Sequence, residues 1–103
     1  MDVGFAEPNV LILASLSSGA KHGYALIKDI EEMAGTTLGP GTLYGALARL
    51  EQRGMVEALS AQDRRRPYRI TPAGAEAVRA YLVNIQRVAA TGLKRLEAYP
   101  WPG

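Results

Sequence analysis

One apolar pattern near the C-terminal end limits what this chain can fold into. Six apolar residues recur there at intervals of three or four: Val78, Leu82, Ile85, Ala89, Leu93 and Leu96. They span eighteen residues in five steps, and this helical spacing predicts one face of a long α-helix. A chain of 103 residues buries only a modest fraction of its surface by itself. We therefore expect a partner subunit to cover the stripe.

Three shorter helices are predicted before the long one, and glycine and proline mark their ends. We expect the first from Pro8 through the apolar run 10–16, the second over about 22–34, and the third from Pro40 to just before Gly54. Proline in the first turn and glycine just past the end are typical helix boundaries. The predicted core-facing residues are Leu26, Ile27, Ile30 and Met33 in the second helix, and Leu43, Leu47 and Leu50 in the third.

A short hairpin is expected between the third helix and the long one. Residues 56–61 lose the helical period and can pair with residues 68–70 across a turn at 62–66. Pro67 has no backbone N–H, which favours an edge position for the second strand. Thr71 and Pro72 have the residue types of an N-cap and a first helical position. Together these elements predict a mostly α fold with a small β-hairpin, the winged helix-turn-helix, plus a C-terminal dimerisation helix.

This order of elements gives a simple domain organisation. Residues 1–71 form the predicted winged-helix DNA-binding domain, and residues 72–97 form the amphipathic dimerisation helix of the same compact unit. Residues 98–103 contain two prolines and a final glycine, which cannot continue a helix and predict a flexible tail. The residues expected at the dimer interface are Val78, Tyr81, Leu82, Ile85, Ala89, Leu93 and Leu96.

Positive charge is concentrated in one part of the sequence. Residues 40–70 contain six arginines and three acidic residues, a balance of +3, whereas the remainder has six basic and seven acidic residues, a balance of −1. Such a local excess is typical of a surface that meets phosphates. The predicted DNA-binding residues are Gly41, Thr42, Tyr44, Gly45, Arg49, Arg64, Arg65, Arg66 and Arg69.

Each part of that set also has a purely structural interpretation. The glycines that open the third helix can simply turn the chain, and Gly45 can permit either close packing against the second helix or close approach of a DNA backbone. The run Arg64–Arg66 can be a solvated face, and Arg69 can pair with Glu57 across the hairpin. The combination favours DNA, because three like charges at a hairpin tip repel one another unless an anion is present.

The residue inventory argues against an enzyme. The chain has no cysteine and one histidine, His22, so one chain cannot assemble a zinc site or a thiol nucleophile. The segment 39–45 lacks the Gly-Lys-Ser/Thr ending of a phosphate loop. We expect no catalytic residues, no metal and no cofactor. The longest apolar run is far shorter than the roughly 18 residues of a membrane span, and no signal peptide is recognisable, so we expect a cytoplasmic protein.

Several motifs taken together resemble the PadR-like family of transcriptional regulators. They are His22-Gly23-Tyr24, Pro40-Gly41-Thr42-Leu43-Tyr44 and Tyr68-Arg69-Ile70-Thr71, within a resemblance that runs from about residue 9 to residue 82. The family that the chain resembles consists of homodimeric winged-helix regulators in bacteria. They are usually repressors that bind palindromic operators in double-stranded DNA and release them on meeting phenolic acids, drugs or other small-molecule inducers.

The resemblance also implies roles for particular residues. Thr42, Tyr44 and Arg49 fall in the recognition helix, and Arg64–Arg66 fall in the wing. The chain departs from the family at Gly45, where the family often has proline, and in its single, fairly short C-terminal helix. Two other functions stay open at this point. One is a winged helix that binds an acidic protein partner, and the other is a ligand-sequestering dimer with Trp101 at the mouth of an apolar cavity.

Overall fold

Four helices and one β-hairpin make up the part of the chain that the structure, a computed structural model, describes: residues 7–61 and 64–103. In chain order they are α1 (Pro8–Leu16), α2 (Gly23–Ala34), α3 (Pro40–Gln52), β1 (Val56–Ala58), β2 (Tyr68–Ile70) and α4 (Pro72–Glu97). The two strands are antiparallel, with Val56 opposite Ile70 and Ala58 opposite Tyr68. This architecture confirms the predicted winged helix-turn-helix.

The helix boundaries follow from the residues that cap them. His22 is the N-cap of α2, and its Nδ1 accepts a hydrogen bond from the backbone N–H of Ala25 at 3.3 Å. Gly35 ends α2 in the left-handed conformation, with φ of 68°. Thr71 caps α4, where its Oγ1 accepts a hydrogen bond from the N–H of Gly74 at 3.1 Å and donates one to the carbonyl of Gly54 at 2.6 Å. The predicted caps at Gly35 and Thr71 are confirmed.

The hydrophobic core lies between α1, α2 and α3, and one side of the hairpin and the start of α4 close it. Its buried apolar residues are Leu11, Ile12, Leu13, Leu16, Leu26, Ile30, Leu38, Leu43, Ala46, Leu47, Leu50, Val56 and Val78. The predicted stripe of α3 is confirmed. In α2 the prediction is wrong for Met33, which is 48% exposed. Met33 lies in the last turn of α2, beyond Ile30, the last buried residue of that helix.

The strand β2 belongs to a two-stranded sheet, so it has the edge position expected from Pro67, and a single isolated bridge extends the pairing at its start. Its first residue, Tyr68, pairs with β1 on one side and with Lys21 on the other. The Lys21 N–H donates to the Tyr68 carbonyl at 3.0 Å, and the Tyr68 N–H donates to the Lys21 carbonyl at 2.9 Å. Pro67 precedes the strand, so its missing N–H costs no bond there, and its carbonyl still accepts from the N–H of Leu59 at 2.8 Å.

A polar network holds Lys21 in this position. The Lys21 ammonium donates hydrogen bonds to the carbonyl of Ser15 and to the hydroxyl of Ser18, and it lies 4.0 Å from the Asp29 carboxylate. The buried Ser15 hydroxyl donates to the same carboxylate at 2.6 Å. Because these groups belong to α1, α2 and the segment between them, the network fixes the start of α2 relative to β2.

The helix α4 joins the body of the protein only at its beginning. Gly74 lies so close to the end of α3 that a Cβ there would collide with the carbonyl oxygen of Met55. Val78 is buried in the core of its own chain. Farther along the stripe, Leu82 is 41% exposed and Leu93 is 67% exposed. Val78 therefore belongs to the core of its own chain, and the exposed part of the stripe lies beyond it.

The tail folds back on the end of α4. The indole N–H of Trp101 donates to the carbonyl of Leu96 at 3.1 Å, and the Tyr99 and Trp101 rings pack edge to face with centroids 4.6 Å apart. These contacts satisfy one of the carbonyls that the last turn of a helix leaves without a partner. The flexibility expected of residues 98–103 stays a prediction.

Candidate nucleic-acid interface

The outward face of α3 has the composition expected of a recognition helix. Leu43, Ala46, Leu47 and Leu50 face the core and are buried, whereas Gly41, Thr42, Ala48, Arg49 and Gln52 are exposed on the other side. This exposed face has little apolar bulk and contains a hydroxyl, a guanidinium and an amide. Such groups bond to phosphate oxygens and to base edges in the major groove.

Gly45 lies on this face, and the packing around it does not require a glycine. A Cβ added to Gly45 would meet only the Nη1 atom of Arg49, at an ordinary contact distance of 3.6 Å. Packing against α2, one of the two reasons considered from the sequence, is therefore not the reason for this glycine. The guanidinium of Arg49 instead lies beside the bare backbone of Gly45, on the face that Thr42 also shares.

Tyr44 points away from this face and towards the start of α2. A Cβ added to Gly23 would collide with the Tyr44 hydroxyl, so the absence of a side chain at Gly23 makes room for the phenol. The Tyr44 side chain is nonetheless 50% exposed. Its hydroxyl therefore lies at the junction of α2 and α3, where it is open to solvent.

The wing completes this junction. A cavity of about 350 Å³ lies where four segments meet. Its lining residues are Tyr44 of α3, Tyr68 of β2, His22, Gly23 and Tyr24 at the start of α2, and Arg64, Arg65 and Arg66 of the wing. Four of the nine predicted DNA-binding residues, Tyr44 and the three arginines, thus lie around one opening. Gly41, Thr42, Gly45 and Arg49 lie on the adjoining face of α3 and do not line the cavity.

The backbone at the wing tip has an uncommon conformation. Arg64 has φ of 67°, the left-handed region, and among residues 7–61 and 64–103 it is the only residue other than glycine with a positive φ. That conformation costs a non-glycine residue roughly 1–2 kcal/mol. Arg64, Arg65 and Arg66 are all exposed, so the tip presents three guanidinium groups to solvent next to the cavity.

Tyr68 contributes a neutral hydroxyl to the cavity. Burial is the main cause that raises the pKa of Tyr68 above its ordinary value of 10.0, and the negative charge of Glu51 adds to the rise. The phenol therefore keeps its proton at neutral pH and can donate a hydrogen bond. Among the residues that line the opening, the charge comes from the arginines and the tyrosines add neutral donors, whereas the acidic Glu51 acts on Tyr68 from outside the lining.

Arg69 stands apart from the other predicted residues. Its guanidinium donates to the Glu57 carboxylate on the opposite strand, with a distance of 2.9 Å from Nε to Oε1, and the two residues face each other in the strand register. Both side chains are about half exposed, so the pair adds little stability. The cross-strand pair, which was the alternative to a DNA contact, is thus formed. A DNA contact by Arg69 stays a prediction.

Sequence reasoning did not assign His22, Tyr24 and Tyr68 to the site. The sequence does not bring the motif His22-Gly23-Tyr24 to the wing, because the pairing of Lys21 with Tyr68 joins segments that are distant in sequence. The one available signal was the unusual run of histidine, glycine and tyrosine at the start of a helix.

Two further properties concern the whole described part of the chain. Within residues 7–61 and 64–103, no three side chains of His, Cys, Asp or Glu come together as a metal site would require. Over the same residues, every helix is too short or too polar to cross a membrane.

Three packed helices, a two-stranded wing and an exposed cationic edge define a winged-helix protein. Residues 12–80 match the family described as the transcriptional regulator PadR-like family. The match covers more than half of the chain, so the protein belongs to the PadR-like family of transcriptional regulators. This result confirms the resemblance seen in the sequence, and the family is one of regulators, not of enzymes.

Solved structures show the same fold. A transcriptional regulator from Clostridium thermocellum is 29% identical and has a TM-score of 0.72, with 84% of this chain and 87% of that chain covered. A PadR family transcription regulator from hypervirulent Clostridium difficile R20291 is 21% identical and has a TM-score of 0.77, with 86% and 97% covered. At that identity the second likeness concerns the fold alone.

One curated relative is more similar in sequence. An uncharacterised 37.1 kDa protein in transposon TN4556 of Streptomyces fradiae is 49% identical over 70 residues, which cover 68% of this chain and 20% of that protein. The matched region therefore spans about a fifth of the length of that relative.

The environment of Gly45 gives a first prediction. Gly45→Ala should raise the free energy of unfolding by up to about 1 kcal/mol, because alanine is the better helix former and the added Cβ has room. Gly74→Ala, the matched change in α4, should lower it by about 1–3 kcal/mol because of the collision with the Met55 carbonyl. Urea unfolding measures both changes, and a comparable loss at Gly45 would contradict the open surface described here.

Proposed function

We propose that this chain is a sequence-specific regulator that binds double-stranded DNA as a homodimer, acting as a repressor on a palindromic operator. One observation carries the proposal. Tyr44 of α3, the start of α2 and the arginines of the wing line one cavity, although they come from three separate parts of the sequence, and the exposed face of α3 belongs to the same helix as Tyr44. Family membership supports the regulatory role.

The recognition helix supplies the contacts that read sequence. An α-helix fits the major groove of B-form DNA, and arginine is the side chain that most often reads guanine there. Arg49 is the only basic residue in the exposed face of α3, so we assign it a base or phosphate contact. Gly41, Thr42 and Gly45 let the DNA backbone come close. The Thr42 hydroxyl donates a hydrogen bond to a phosphate oxygen.

The wing supplies contacts that do not depend on sequence. Arg64, Arg65 and Arg66 are exposed at the hairpin tip, where they can follow the phosphates or enter the adjoining minor groove. A phosphate between these like charges removes their mutual repulsion. Tyr44 and Tyr68 line the neighbouring cavity and add neutral donors to the same strand of DNA.

The long helix supplies the contact between subunits. Beyond Val78 the stripe of α4 contains Leu82, Leu93 and Leu96, which are 41%, 67% and 44% exposed, together with Ile85, which is half-buried. Apolar residues at this spacing, exposed in one protomer, are buried when two such helices pack together. A twofold dimer then places two α3 helices in half-sites roughly 34 Å apart. A small-molecule signal, implied by the resemblance, stays a prediction.

The wing assignment is tested by removing its charge. Replacing Arg64, Arg65 and Arg66 by alanine should weaken binding to every duplex and reduce the slope of log K against log salt by up to about three, because each lost phosphate contact removes about 0.9. Arg87→Ala is the control, since Arg87 is exposed on the outer part of α4 and does not line the cavity, and it should change the slope much less. Fluorescence anisotropy over a salt series measures both. An unchanged slope in the triple variant would exclude the wing from the DNA contact.

The dimer assignment is tested on α4. Changing Leu82 and Ile85 together to glutamate should give monomers, because charges would then occupy the centre of the apolar stripe. Ala80→Glu is the matched control, since Ala80 is exposed and lies on the opposite side of α4 by the helical period. Sedimentation velocity measures the oligomeric state. A dimer that persists in the double variant would place the interface elsewhere.

A further inference from the structure

The only histidine of the chain has more hydrogen-bond donors around it than it can accept. The Nδ1 atom of His22 receives the backbone N–H of Ala25 at 3.3 Å, and the Nε2 atom lies 3.4 Å from the Nη1 atom of Arg65. A neutral imidazole has one nitrogen that accepts and one that carries a proton. Arg65 only donates, so one of the two approaches brings two donors face to face.

The N-cap decides which nitrogen carries the proton. His22 is the N-cap of α2, and acceptance of the Ala25 N–H by Nδ1 satisfies one of the donors that a helix start leaves without a partner. The proton of the neutral ring is then on Nε2, and Nε2–H points to the same space as the Arg65 guanidinium. The Nε2 proton and the neighbouring donors of Arg65 leave a place for an acceptor between them.

The surroundings indicate what that acceptor is. The space opens into the cavity that Arg64, Arg66, Tyr44 and Tyr68 also line, so the groups around it are cationic or neutral donors. Its volume of about 350 Å³ is several times the roughly 30 Å³ that one water molecule occupies in the liquid. An anion with several oxygen atoms fits both the charge and the size.

We infer that His22 and Arg65 together hold one phosphate oxygen of the DNA backbone, so that His22 is a phosphate-binding residue as well as a helix cap. The inference rests on the proposed function and extends it to a residue outside the recognition helix and the wing. Because Nδ1 holds α2 while Nε2 binds the phosphate, the contact ties the position of the wing to the start of α2. A contact of this kind does not distinguish base sequences.

The variant that tests this role must keep the cap and lose the phosphate contact. His22→Asn does so, since asparagine is among the best N-cap residues and its shorter side chain does not reach Arg65. We expect Kd to rise on the order of tenfold on duplexes of unrelated sequence, the value of one charge-assisted hydrogen bond, with an unchanged thermal unfolding midpoint. Arg87→Gln, on the outer part of α4, is the control for the loss of a donor group away from the cavity.

A double-variant cycle tests whether the two residues share one oxygen. His22→Asn should weaken binding much less when Arg65 has already been replaced by glutamine, because the shared contact is then already broken. Unchanged affinity of His22→Asn, or equal losses in both backgrounds, would overturn the inference while leaving the proposed function intact. Failure of the wild-type chain to bind any duplex would instead overturn both.

The wild-type protein gives an independent readout. The chain contains one histidine, so in the tag-free protein its ring nitrogens give one set of signals in two-bond proton–nitrogen NMR spectra. The free protein should show Nδ1 without a proton, and DNA should protect the Nε2 proton from exchange with water. A ring protonated on Nδ1 in the DNA complex, or an Nε2 proton that exchanges equally fast with and without DNA, would contradict the inference.

Discussion

Two backbone hydrogen bonds between Lys21 and Tyr68 decide where the candidate nucleic-acid interface of this protein forms. They attach the hairpin to the segment that leads into α2, and they therefore bring the wing beside His22 and the start of that helix. The side chains of the wing do not hold it in this position, because the wing arginines are exposed and repel one another. The Lys21 ammonium lies 4.0 Å from the Asp29 carboxylate, which accepts a hydrogen bond from the buried Ser15 hydroxyl. This polar network thereby positions the charged wing at the protein surface.

The chain consists of a winged-helix part, which positions the residues of the candidate site, and a long helix that extends away from it. The family match ends at residue 80, close to Val78, which is the last residue of α4 that is buried in the chain's own core. Beyond this point α4 continues to Glu97 with its apolar stripe exposed. The family match thus includes the winged helix and the joint of α4, whereas most of the surface proposed for the subunit contact lies beyond the matched residues.

Sequence reasoning predicted the features that depend on neighbouring residues. The caps at Gly35 and Thr71, the start of α3 at Pro40 and the buried face of α3 follow from local residue types and helical spacing, and all of them are present. The features that it missed depend on long-range pairing. The bridge between Lys21 and Tyr68 joins segments that are far apart in the sequence, and no periodicity within either segment indicates it.

In the candidate site, too, the features set by neighbouring residues were predictable and those set by long-range pairing were not. The exposure of Thr42 and Arg49 was predictable from the helical period of α3, and the exposure of the wing arginines from their place at a hairpin tip. The entry of His22 and Tyr24 into the same cavity was not predictable, since it depends on how three segments meet. Gly45 was ambiguous from the sequence, and only the structure separated packing against α2 from an open surface.

We propose that α3, the start of α2 and the wing form one cationic surface that fits a DNA duplex. The most direct test is the binding of the wild-type protein to labelled duplexes that are long enough for two half-sites, followed by anisotropy at low ionic strength. The structure predicts saturable binding to duplexes of unrelated sequence, with an affinity that falls steeply as salt is added. A protein that binds none of these duplexes at low ionic strength would contradict the account.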